Sequence, residues 1–113
     1  MGSSGYKPFE SDDSADLLYK FQDSLWKVLR AKKSDFIQIR GSVELFIALS
    51  KGLKYLEEDY MLDEELYKAC IEKLHIILKD EEWIDNWNDP KEIKLDIRRQ
   101  IRLLEKLGGL EHE

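Results

Sequence analysis

"DPKEIKLDIRRQIRLLEKLGG", residues 89–109, decides the fold. Asp89 can accept a hydrogen bond from a free N–H at the start of a helix. Pro90 suits the first helical position, where a missing N–H costs nothing, and Glu92 completes a capping box. Ile93, Ile97, Ile101, Leu104 and Leu107 then recur at intervals of three and four, so they share one side of a helix. Gly108 and Gly109 supply the stop. The stretch predicts a capped amphipathic helix with a densely charged outer side.

The same pattern repeats upstream. A first helix is predicted from about Ser14 to Ala31, with Leu17, Leu18, Phe21, Leu25, Val28 and Leu29 as its stripe and Trp26 beside it. Residues 1–13 read as an irregular arm in which Pro8 biases Lys7 towards an extended shape, and Ser11, Asp12 or Asp13 can cap the helix. Residues 32–41, "KKSDFIQIRG", are expected to form a loop with one turn of helix, because no second strand is visible to pair with. A second helix is predicted to start at Ser42, with Glu44 in its first turn and Leu45, Phe46, Leu49, Leu53 and Leu56 as its stripe. Gly52 predicts an end or a bend there. A third helix opens at Asp63, followed by Glu64 and Glu65, with Leu62 packing back on Tyr67. Its rows are Leu66, Cys70, Leu74 and Ile77, and Tyr67, Ile71, Leu74 and Leu78. Trp83, Ile84 and Trp87 are too apolar for a solvent loop and are expected to form a lid over one end of the core. The expected architecture is a single all-α domain over 1–113: a bundle of four main helices, a short Trp-containing turn before the last, and a tail over 108–113.

The totals agree with that reading. Of 113 residues, 37% are charged, against about 25% in an ordinary domain, which fits long helices with charged faces. The formal net charge of -6 argues against direct nucleic-acid binding, which needs an excess of Lys and Arg, and favours a basic protein partner. Cys70 is the one cysteine, so no disulfide forms within the chain and no cysteine-based zinc site is expected. No apolar run approaches ~18 residues, so no membrane span is expected. The expected location is the cytoplasm.

No motif of catalysis, metal or cofactor binding is present: there is no HExxH, no phosphate loop and no EF-hand spacing. His75 reads as a core-edge histidine and Cys70 as a packed core residue. No enzymatic activity, cofactor or metal is expected. A reading as an enzyme using Asp12, Asp13 or His75 would require one concave pocket that holds them together.

The charges carry more information. Residues 57–65, "EEDYMLDEE", hold six acids and no base; residues 80–89, "DEEWIDNWND", hold five acids and no base. Both interleave acids with aromatics, and they flank the third helix at its two ends. One reading is solvated caps and loops. The other is a pair of acidic surfaces with aromatic anchors that meet a basic protein. The candidate contacts are Glu57, Glu58, Asp59, Tyr60, Glu64 and Glu65 in the first run, and Glu81, Glu82, Trp83, Asp85 and Trp87 in the second. Lys94, Arg98 and Arg102, recurring every four residues in the last helix, either pair with neighbouring acids or meet the acidic surface of a second copy in a homodimer.

The opening, "GYKPFESDDSADLLYKF", adds a resemblance. Gly2, Gly5, Pro8, Phe9, Ser11, Asp12, Asp13, Ala15 and Asp16 resemble the start of a family of small bacterial proteins known as a domain of unknown function, DUF4259. Ser4 stands where that family commonly has Trp. The second-helix segment and the Trp-containing tail resemble the family more weakly. The resemblance implies that residues 1–13 fold onto the body, with Phe9 plugging the core. Small acidic helical proteins of this kind are similar to immunity proteins encoded beside bacterial polymorphic or contact-dependent toxins. The implied function is a cytoplasmic immunity protein that binds and neutralises a basic toxin domain, expected to be a nuclease. The alternative is a structural or regulatory homodimer with no toxin partner.

Overall fold

The computed structural model describes residues 12–31 and 35–110; the N-terminal arm, including Gly2, Gly5, Pro8, Phe9 and Ser11 of the opening motif, lies outside the described residues. Among the described residues the chain is an all-α bundle of five helices: α1 (Asp12–Arg30), α2 (Phe36–Tyr55), α3 (Glu64–Lys79), α4 (Glu81–Asp85) and α5 (Pro90–Leu107). A 3-10 turn, Asp59–Met61, precedes α3.

Capping by aspartate sets most of the boundaries. Asp89 Oδ1 accepts from the N–H of Glu92 at 3.1 Å, with Pro90 opening α5. Asp63 Oδ1 accepts from the N–H of Glu65 at 3.0 Å at the start of α3. Asp80 does the same for Trp83 at 3.1 Å, so the apolar turn expected there is a short helix, α4, whose Ile84 is completely buried. The acids of Asp12 and Asp13 fall inside α1 rather than in the arm.

The second helix departs most from expectation. It begins at Phe36, not Ser42, because Asp35 Oδ1 caps it by accepting from the N–H of Ile37 at 2.9 Å. Glu44 is therefore mid-helix, and Gly52 does not end α2, which continues to Tyr55. Its buried side is Ile39, Val43, Phe46, Ile47, Ser50 and Leu53; Leu45 and Leu56, expected in the stripe, face outwards. The anchor missing from the periodicity was Ile39, which packs fully into the core and draws the preceding turn into the helix.

The core lies between α2, α3 and α5, with α1 laid across it. Leu66, Cys70, Leu74 and Ile77 are buried as expected, opposite Ile93, Ile97, Ile101 and Leu104 of α5. The Phe46 and Tyr67 rings lie 4.9 Å apart, and the Tyr67 hydroxyl is hydrogen-bonded to Ser50 inside the core. Two buried glutamines join elements through their amides. Gln22 of α1 donates to the Met61 carbonyl at 3.2 Å and accepts from the Asp63 N–H at 2.7 Å, which ties α1 to the turn before α3. Gln100 of α5 donates to the Arg40 carbonyl at 3.2 Å. Around it, Arg40 pairs with Asp96, and Arg99 pairs with both Asp96 and Glu44, locking α2 to α5.

Candidate functional site

The two acidic runs sit at opposite ends of α3, and the structure gives them different characters. In the second run, the acids nearest the backbone are structural: Asp80 and Asp89 are caps. Its aromatics also belong to the fold. Trp83 stands edge-on between Phe36, 5.5 Å away, and Trp87, 5.3 Å away, and closes the end of α2 against α4. Trp87 is 38% exposed, while Glu81, Glu82 and Asp85 point to solvent. The lid expectation is met in substance, and it leaves this end with acids but little aromatic surface to offer.

The first run is different. Asp63 is fully used: one oxygen caps α3 and the other accepts from the Trp26 indole N–H at 3.1 Å. Glu58 is only 3% exposed, so its side chain is turned into the protein, and it leaves the set of surface contacts. Asp59 lies 3.4 Å from the Lys54 ammonium, and Glu65 lies 3.5 Å from that of Lys68. Glu57 and Glu64 are exposed, and Tyr60 stands out at 70% exposure. Tyr55, 88% exposed, and Leu56 end α2 next to them. A hollow of about 220 Å³ lies between Asp59, Tyr60 and Glu64 on one side and Leu107 to Gly109 on the other, with Tyr67 at its floor. Burial raises the Tyr67 phenol above its ordinary value of 10.0, against the lowering effect of the Ser50 hydrogen bond. That phenol is a neutral hydrogen-bonding group.

Glu57 has an unusual backbone. Its φ is +59°, the left-handed region that favours glycine. The Glu57 N–H donates to the Lys54 carbonyl at 3.1 Å, and the Glu58 N–H to the Leu53 carbonyl at 2.7 Å. This is a Schellman ending with glutamate in the glycine position. The end of α5 shows the ordinary solution: Gly109, φ +67°, holds the equivalent place, and the Leu110 N–H donates to the Glu105 carbonyl at 2.7 Å. Glu57 also puts a negative charge at the negative end of α2. Sequence reading found the acids here but missed this geometry, because nothing in "LEEDY" signals a left-handed residue where glycine is absent.

His75 and Asp13 lie on different helices, α3 and α1. His75 is exposed on α3 beside a shallow hollow formed with Leu78, Arg98, Ile101 and Arg102; Asp13, exposed in the first turn of α1, does not line it. Cys70 is buried, and burial pushes its thiol up to about 12, which removes nucleophilic thiolate at neutral pH. Among the described residues, no group of three His, Cys, Asp or Glu side chains is placed to hold a metal ion, and no helix is long and apolar enough to cross a membrane. Of the basic row on α5, Arg98 and Arg102 are exposed and Lys94 is half-buried.

Comparison with protein-family models, with curated proteins and with solved structures finds no match to this chain.

Proposed function

We propose that the protein is a binding protein of the immunity type, which docks a basic toxin domain, a nuclease in the leading case, on the acidic and aromatic end formed by Glu57, Tyr60 and Glu64. Glu57 carries the reading. Its left-handed backbone and its place at the negative end of α2 both work against stability, and glycine would relieve the first while removing the second. Strained positions of this kind gather at functional surfaces. An exposed tyrosine beside it supplies rigid contact area, and the acids steer a basic partner to the surface. The net charge of -6 extends the same attraction over the whole molecule.

Of the two runs named from the sequence, the first is favoured because Tyr60 is 70% exposed, whereas Trp83 is half-buried between Phe36 and Trp87 and Trp87 is 38% exposed. Affinity capture from the native host distinguishes the two. The bait is the wild type, a first-run reversal (Glu57→Lys, Glu64→Lys, Glu65→Lys) or a second-run reversal (Glu81→Lys, Glu82→Lys, Asp85→Lys). The expected outcome is one basic partner retained by the wild type and the second-run variant, and lost by the first-run variant. Retention by all three baits would refute the assignment.

A further inference from the structure

Among the described residues, the outward side of α2 is the one long surface without charge. Ile37, Gln38, Gly41, Leu45, Ala48, Gly52, Tyr55 and Leu56 lie within one strip opposite the buried stripe, and all are exposed. In a chain with 37% charged residues, a 20-residue helix that is apolar on both sides is out of character. Beside the strip, Leu45, Ala48 and Leu49 face Leu17, Leu18 and Phe21 of α1 across an apolar groove of about 610 Å³. Leu45 is 63% and Leu17 66% exposed. Surfaces of this kind mark interfaces.

The order of residues along the strip indicates what covers it. Taken about the midpoint between Phe46 and Ile47, the strip maps onto itself. Ile37 corresponds to Leu56, Gln38 to Tyr55, Gly41 to Gly52 and Leu45 to Ala48. Two copies laid antiparallel about a two-fold axis at that midpoint therefore place glycine against glycine and leucine against alanine along the seam, which is the isologous pattern of a symmetric dimer. Gly41 and Gly52 have open space around them in the single chain: a Cβ built at either meets nothing within 4 Å. The monomer gives no reason for glycine in these two helix-interior positions, whereas closely approaching helices do.

We infer that the protein forms a homodimer through the outward side of α2, with the second copy seated on the uncharged strip and the adjoining groove. This pairing uses α2 rather than the basic row of α5. It leaves Tyr60, Glu57 and Glu64 outside the seam, while Tyr55 and Leu56 are taken into its ends. It does not depend on the binding reading above.

Sedimentation equilibrium of the full chain across the micromolar range tests it. The wild type is expected to be a dimer. Ala48→Glu puts a charge at the centre of the seam in both copies and is expected to weaken association by at least about tenfold, with unchanged helical circular dichroism. The double variant Gly41→Gln/Gly52→Gln is expected to be monomeric yet as resistant to heat as an isolated wild-type monomer or more so, since each new side chain enters open space. Glu72→Lys, on the outward side of α3, is expected to remain dimeric. A wild type that is monomeric throughout, with the strip covered by residues 1–11 or by another protein, overturns the inference. So does an Ala48→Glu variant that still dimerises.

Discussion

At the residue scale, two positions make the physical account checkable. Glu57 occupies the glycine position of a helix ending, while Gly109 fills the same position at the end of α5. Glu57→Gly is expected to stabilise the fold by about 1 kcal/mol, read as a higher urea midpoint with an unchanged denaturant slope. A fall in midpoint would mean that the glutamate side chain supports the fold more than its backbone strains it. Cys70 supplies a pH dependence. Burial moves its thiol from an ordinary 9.0 to about 12, so the folded chain keeps a proton that the unfolded chain releases. The associated stability is complete below pH 9 and is lost as pH rises towards 12. Tyr67, raised by burial, acts in the same direction from its ordinary 10.0 upward. The urea midpoint is therefore expected to fall steadily above pH 9, and to fall less steeply in Cys70→Ala. A profile that stays flat into the alkaline range would contradict the burial of both groups.

At the element scale, caps and buried amides carry the specific part of the fold. Asp89→Ala removes the bond to the Glu92 N–H and is expected to cost about 1 kcal/mol. Gln22→Ala is expected to cost more, about 1–3 kcal/mol, because it strands the Met61 carbonyl and the Asp63 N–H where α1 meets the turn before α3. Thermal unfolding of the two variants ranks them. The cap at Asp89 was legible in the sequence because Asp, Pro and Glu stand at the offsets a helix start requires. The cap at Asp63 and the buried row of α3 could be read for similar reasons; the cap at Asp80 was not read, because the apolar turn expected there is the short helix α4. The start of α2 could not, since Asp35 precedes a run, "FIQIRG", whose alternation mimics a strand, and only Ile39 in the core decides for the helix. The error propagated to Leu45 and Leu56, which helical spacing puts beside the stripe but which the packing of α2 on α3 and α5 turns outwards. The acids of the candidate site were visible as a run. Their division into caps, a buried Glu58 and exposed contacts was not, because that division depends on which atoms the backbone brings near them.

On the scale of the whole molecule, charge and apolar surface are segregated. One side of α2 carries no charge, and the end of the bundle beyond Tyr55 gathers exposed acids around Tyr60. These two surfaces suit different occupants: a second copy on the first, a basic protein on the second. The segregation predicts that partner capture weakens with salt while self-association does not, since only the former relies on long-range attraction. Measuring both at low and moderate salt checks this; parallel loss of the two would argue that one surface serves both. The central claim is that Glu57 is kept for binding at the expense of stability, and its most direct test is retention of the captured partner by Glu57→Gly beside the wild type. The account predicts a more stable protein that retains markedly less partner. A more stable protein that retains the partner undiminished would contradict it.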